Sequence, residues 1–119
     1  MTDAALPSDP ESTRRELRKA LSILTGKWKL EILWLLNKRV HRFGELRRAI
    51  PGVTQHMLTA QLRELEGDGL ITRKVFAEVP PKVDYAITQK ATRLKPVFDA
   101  IFAWSNELDT PDRKSAHAT

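Results

Sequence analysis

The chain contains no cysteine. That absence removes disulfides, thiolate metal sites and cysteine-based redox sensing, and it fits a reducing cytoplasm. Long apolar runs are missing too: nothing approaches the ~20 consecutive apolar residues that span a bilayer. The opening stretch MTDAALPSDPEST is acidic and Pro-containing, where a secretory signal would be basic and then hydrophobic. There is no Gly-x-Ser-x-Gly, no glycine-rich phosphate loop and no cluster of metal ligands, so the chain is not expected to be an enzyme and no cofactor is expected. The histidines, His41, His56 and His117, have no paired spacing, which argues against a metal site. Acidic residues are in deficit, with 15 Asp and Glu against 20 Lys and Arg for a net charge of +5. This excess favours polyanionic partners without proving one.

At 119 residues, 41% apolar and 29% charged, the chain has the size and composition of one globular domain. Its most informative stretch is 43–70, FGELRRAIPGVTQHMLTAQLRELEGDGL. Phe43, Leu46, Ala49 and Ile50 recur at helical steps, with Arg47 and Arg48 off that face. Pro51 and Gly52 break the pattern. Val53 is a buriable anchor ahead of Thr54, a residue type favoured at an N-cap. The second helix, expected from Thr54, places Met57, Leu58, Leu62 and Leu65 on one face, and His56, Thr59, Ala60 and Arg63 roughly opposite. The outward set is short, polar and partly basic, as a helix lying in a major groove requires. The pattern is a helix-turn-helix.

The flanks read as its support. Residues 1–12 hold two prolines and little apolar material and are expected to form a flexible arm. The domain proper is expected over 13–109. A first helix from Thr13 carries Leu17, Ala20, Leu21 and Leu24 on one face and Arg14, Arg15, Arg18 and Lys19 on the other. A second, Trp28 to Asn37, is apolar on most of its circumference and therefore central. Val40 to Phe43 has room for a short strand. After the helix-turn-helix, 70–78 and 83–87 read as strands joined by Val79-Pro80-Pro81-Lys82, a β-hairpin wing. Thr88 caps an expected long final helix with Leu94, Val97, Phe98, Ile101, Phe102, Trp104 and Leu108 on a broad apolar face. Pro96 inside it predicts a kink, since the apolar spacing continues in phase. Residues 110–119 are expected to be a mobile tail. The predicted fold is mainly α with a small β-wing (α+β): a winged helix-turn-helix with a three-helix core, a β-hairpin, and N- and C-terminal helices, which the resemblance described next assigns to dimerisation.

These residues resemble the HxlR-type transcriptional regulators of bacteria and archaea, a branch of winged-helix proteins close to the MarR group. The likeness covers roughly Arg18 to Trp104. It is carried by Gly26-Lys27-Trp28, Arg42-Phe43-Gly44-Glu45-Leu46-Arg47-Arg48, Ile50-Pro51-Gly52-Val53, Leu62-Arg63-Glu64-Leu65-Glu66 with Asp68-Gly69-Leu70, and Pro80-Pro81-Lys82-Val83-Asp84-Tyr85 running into Ile87-Thr88. The resemblance implies a homodimer joined by its terminal helices, with two recognition helices in adjacent major grooves of a pseudo-palindromic double-stranded DNA operator. Many family members sense oxidants through a cysteine near the N-terminus, an input this chain lacks. It also carries Gln55 and His56 where the family often has proline or a basic residue. Ala91 stands where the family usually has glycine, which predicts a more regular final helix.

The DNA-binding candidates are Thr54 and Gln55 as a phosphate clamp at a helix N-terminus, His56, Thr59 and Arg63 in the groove, and Arg42, Arg47, Arg48 and Lys82 on phosphates. Each has a plainer alternative. Thr54 is already sufficient as a cap, Arg63 has Glu64 and Glu66 in reach for a pair worth ~0.2–0.5 kcal/mol, and the arginines also suit a solvated basic face. Dimer-interface candidates are Leu17, Leu21 and Leu24 of the first helix, as the resemblance implies, and Leu94, Phe98, Ile101, Phe102, Trp104 and Leu108 of the last, whose apolar face is broader than one small domain covers. Trp28, Trp34, Phe98, Phe102 and Trp104 are either core and interface or the lining of a pocket for a small-molecule effector of unknown identity. The rival functional reading is a winged-helix protein-interaction module without DNA binding.

Overall fold

The structure is a computed structural model that describes residues 9–109; the expected arm up to residue 8 and the tail from 110 lie outside the described residues. Helix α1 runs Pro10–Leu24, starting three residues before the expected Thr13. The reason is local: the Asp9 carboxylate accepts from the Glu11 and Ser12 N–H groups at 2.8 and 3.0 Å. Pro10 sits at the first helical position, where a missing N–H costs nothing. Residues 10–12, expected in the arm, are therefore helical. No residue of α1 is fully buried; Ile23 and Leu24 lean on the core while Leu17 and Leu21 stay exposed.

Helix α2, Lys29–Lys38, starts one residue later than expected, with Trp28 as its N-cap. Its Ile32, Leu33 and Leu36 are buried at the centre of the molecule. Strand β1, His41–Arg42, leads into α3, Phe43–Ala49, and then α4, Gln55–Gly67. The wing follows as β2, Ile71–Phe76, and β3, Lys82–Ile87, antiparallel from Ile71↔Ile87 to Phe76↔Lys82. β1 pairs with the other edge of β3, His41 opposite Tyr85, so the wing is a three-stranded sheet of order β1-β3-β2. The expected short strand is thus part of the wing. His41 is buried beside it, its Nδ1–H donating to the Arg39 carbonyl at 2.8 Å.

The final helix differs from expectation. It is broken into α5, Gln89–Thr92, and α6, Lys95–Asp109. A continuous helix would press the Pro96 ring against the Thr92 carbonyl and leave that carbonyl without its donor. The chain instead restarts so that Pro96 falls in the first turn of α6, and the Phe98 N–H donates to the Leu94 carbonyl at 3.0 Å. Ala91 therefore brings no added regularity; it is buried in the short α5. Thr88 caps α5 as expected, accepting from the Ala91 N–H at 3.2 Å, and its hydroxyl donates to the Gly69 carbonyl at 2.9 Å. That bond ties the end of α4 to the base of the wing.

One core joins these elements: Ile32, Leu33 and Leu36 of α2, Leu46 and Ile50, Leu58, Leu62 and Leu65 of α4, Ile71 and Tyr85 of the wing, and Phe98 of α6. It holds α4 by one face only. No helix among the described residues is long and apolar enough to cross a membrane.

Candidate nucleic-acid interface

The break between α3 and α4 needs its glycine. Gly52 has φ +90°, a left-handed conformation that side chains with a Cβ resist, and the Trp28 ring lies 3.7 Å from where that Cβ would stand. Val53 is buried, as an anchor should be. Thr54 is the N-cap of α4, its Oγ1 accepting from the Met57 N–H at 3.1 Å. Leu58, Leu62 and Leu65 are buried and Met57 half-buried, which is the inward face read from the spacing. At its far end α4 stops on Gly69, φ +77°, with the Leu70 N–H on the Leu65 carbonyl at 2.9 Å and the Gly69 N–H on the Glu66 carbonyl at 3.0 Å. This pair of bonds is the glycine-terminated helix end that satisfies orphan carbonyls.

Gln55, His56 and Arg63 are exposed, and Thr59 and Ala60 half-buried. The Thr59 hydroxyl donates to the Gln55 carbonyl at 2.8 Å, so it has its lone pairs and methyl group left to offer a partner. Arg63 does not take the ion pair open to it. Glu64 turns instead to Lys29, with Nζ to Oε1 2.6 Å. Among the described residues Arg63, Arg47 and Arg48 make no ion pair, and all three are exposed. Arg42 is exposed at the N-cap of α3, its backbone N–H donating to Glu45 Oε1 at 2.8 Å. That bond, with the Arg39 guanidinium at 3.4 Å, holds the Glu45 carboxyl below the usual carboxylate range.

Lys82 is displaced from its expected place. It is the first residue of β3, opposite Phe76, and the wing tip is the loop 77–81, where Val79 is 99% exposed. The ammonium groups of Lys82 and Lys74 lie 4.8 and 5.1 Å from the centre of the Phe76 ring. Two cations thus gather about one aromatic ring on the wing. No group of three or more metal-ligating residues exists among the described residues.

A family model described as HxlR-like helix-turn-helix matches residues 23–113. The chain belongs to that family. It is 47% identical over 88 residues to a putative regulatory protein MalR of Fusobacterium mortiferum, covering 73% of this chain and 83% of that protein. The solved structure of a putative MarR-family transcriptional regulator from Enterococcus faecalis V583 superposes with a TM-score of 0.76 at 36% identity, covering 96% of this chain and 98% of that one. The reduced form of the transcriptional regulator YodB from B. subtilis gives 0.71 at 35% identity, over 82% and 95% of the two chains. This HxlR-like chain is therefore a winged helix-turn-helix DNA-binding regulator. It has no cysteine that could be reduced or oxidised.

The interface candidates on this HxlR-like fold divide by burial. Leu17, Leu21, Ile101, Phe102, Trp104 and Leu108 are exposed, the last two 61% and 64%. Leu24 and Leu94 are half-buried against the core. Phe98 is 5% exposed and belongs to the protomer's own core, so its expected place on the outer face is corrected. Of the aromatic set, Trp34, Phe98 and Phe102 share a groove of about 290 Å³ between α2 and α6, where Trp34 and Phe102 meet edge to face at 5.8 Å. Trp28 lies at the helix-turn-helix break and does not line that groove. The Lys29–Glu64 ion pair is not among the sites expected from the sequence. Glu64 stands in a quoted motif and reads there only as an ion-pair partner for Arg63, and Lys29 lies just after Gly26-Lys27-Trp28 with no signal of its own.

Proposed function

We propose that the protein acts in the cytoplasm as a homodimer on a pseudo-palindromic operator, each protomer laying α4 in a major groove. The observation that carries this is the outward face of α4: His56 and Arg63 are exposed, and Arg63 is unpaired among the described residues although acids stand beside it. Arg63 forks onto a guanine edge, Thr59 offers its methyl to a thymine, and Gln55 pairs with an adenine. Thr54 and the first N–H groups of α4 meet a phosphate, while Arg42, Arg47, Arg48 and Lys82 fix the register on the backbone. The exposed apolar residues support the dimer, since Leu17 and Leu21 on α1 and Phe102, Trp104 and Leu108 on α6 are more large apolar side chains than two helices leave in water. The operator half-sites then lie about one helical turn, ~10 bp, or a multiple of it apart. Without cysteine, release depends on a small apolar ligand or on protein abundance.

The test is binding to duplex DNA from upstream of the protein's own gene, against a scrambled duplex of equal length. Arg63→Ala is expected to cost ~1–3 kcal/mol of discrimination per half-site. If Arg63→Ala and Thr59→Ala leave the ratio of specific to non-specific affinity unchanged, α4 does not read through that face. A protein without affinity for any duplex at low salt returns the interaction-module reading.

A further inference from the structure

The turn between α1 and α2 grips the reading head at two points. The Trp28 ring lies against the Gly52 turn. Two residues earlier, a Cβ on Gly26 would collide with Gln61 Oε1 and come within 2.8 Å of Lys29 Cδ and Cε. The absent side chain of Gly26 is therefore a notch that receives Gln61 and the Lys29 stem. Lys29 is 5% exposed, an unusual state for a lysine, and its ammonium stands 2.6 Å from Glu64, whose side chain is 56% exposed. Gln61 and Glu64 lie one turn apart on α4, on the flank between its buried leucines and its outward face.

Leu58, Leu62 and Leu65 seat α4 through apolar contact, which has no preferred direction. A helix held by leucines alone can roll by some degrees at little cost. A charged hydrogen bond is short and directional, and this one joins α4 to the opening residue of α2. For stability, a methionine in place of Lys29 would serve about as well, because removing two charges from water offsets much of their attraction. What the ion pair adds is an azimuth.

We propose that Lys29 is a positioning residue: its buried ammonium, seated over Gly26 and held by Glu64, sets the rotation of α4 about its own axis and so fixes where His56, Thr59 and Arg63 arrive. The proposal rests on the DNA-reading role of α4. Base recognition tolerates only ~0.5 Å and 10–20° of error, whereas phosphate contact by exposed arginines tolerates more. Loss of the lock must therefore damage specific binding far more than non-specific binding. A purely structural role would move stability instead.

The experiment first selects a preferred sequence for the full-length wild type from a random duplex library. Lys29→Met, Glu64→Gln and wild type are then titrated with the selected duplex and with a scrambled one, and each is melted. The expected result for both variants is at least about ten-fold weaker binding to the selected duplex, with less than about two-fold change on the scrambled one. Lys29→Met melts close to wild type, while Glu64→Gln, which leaves the buried ammonium without its countercharge, melts lower but still folds at the temperature of the titrations. Glu64→Gln leaves the buried lysine stem untouched, so it decides the matter if Lys29→Met fails to fold. Two variants that fold and keep the wild-type affinity ratio overturn the lock, as do two that lose both affinities equally. Should both unfold, the pair holds the fold and the lock is again overturned. A wild type that selects no sequence overturns the DNA reading and the lock together; one that selects a sequence its variants still prefer overturns the lock alone.

Discussion

Replacing Arg47 with alanine should flatten the salt dependence of DNA binding while leaving the preferred sequence unchanged. The magnitude follows from the proposed contact set. Arg42, Arg47, Arg48 and Lys82 supply phosphate-directed cations from each protomer, about eight per dimer, so log Kobs should fall against log[salt] with a slope of about −7. Raising salt from about 50 to about 200 mM then weakens binding by roughly 10⁴-fold. Arg47→Ala removes one cation per protomer and reduces the slope by about 1.8. Arg47 is exposed and makes no ion pair among the described residues, so its loss breaks no contact of the fold. Stability should move by less than about 0.5 kcal/mol. Fluorescence anisotropy of a labelled operator duplex over a range of potassium chloride concentrations gives the slope directly. An unchanged slope refutes phosphate contact at Arg47. A reduced slope accompanied by a new sequence preference refutes the division between positioning and reading, because phosphate contacts carry no base information.

Leu108→Asp should give a monomer by sedimentation with a nearly unchanged protomer fold, because Leu108 is 64% exposed, whereas Phe98→Ala, at a 5% exposed position, should cost ~3–5 kcal/mol in a chemical melt. The glycines at the end of α4 should behave oppositely: Gly69→Ala, at φ +77°, costs ~1–2 kcal/mol, while Gly67→Ala, whose Cβ meets nothing within 4 Å, stabilises the helix by up to ~1 kcal/mol. Glu45 supplies a pH signature. Its carboxyl is held low by the Arg42 N–H, so the stability it contributes is complete above the ordinary carboxylate value and is lost as pH falls through the depressed folded value. Glu45→Gln should remove that part of the acid-side slope in urea melts; an unaltered slope would mean that other carboxylates carry it.

What could be read from the chain alone tracks how local the cause is. The inward face of α4, the Pro-Gly break and the Thr54 cap all depend on neighbours within one or two turns, and the helix-turn-helix emerged from them. Asp9 is an equally local cue with two meanings, because the prolines and acids around it suit a flexible arm as well as the capped helix start they form. At Pro96 apolar phase is no guide to continuity, because a short interruption restores the same phase on a restarted helix. The short strand before α3 is legible from the chain, but its place in the wing is not, for another reason. A two-residue strand has almost no signal of its own, and β1 exists because Tyr85 and Asp84, far along the chain, offer it an edge.

The same logic explains why the reading face was legible and its alignment was not. A helical wheel of α4 sorts residues into buried and outward, and Glu64 falls between the two, where polarity alone assigns it to solvent. Only the partner reveals its task, and the partner is a lysine whose own context, an apolar helix start after Gly-Lys-Trp, gives no reason to expect a buried ammonium. Residues that make contacts advertise themselves by chemistry suited to the ligand. Residues that aim those contacts are suited to each other, and that suitability is distributed over two segments. For a regulator whose affinity comes largely from phosphates, the aiming pair can be lost with little change in stability or non-specific binding, so selective loss of sequence preference is the signature by which Lys29 and Glu64 should be recognised.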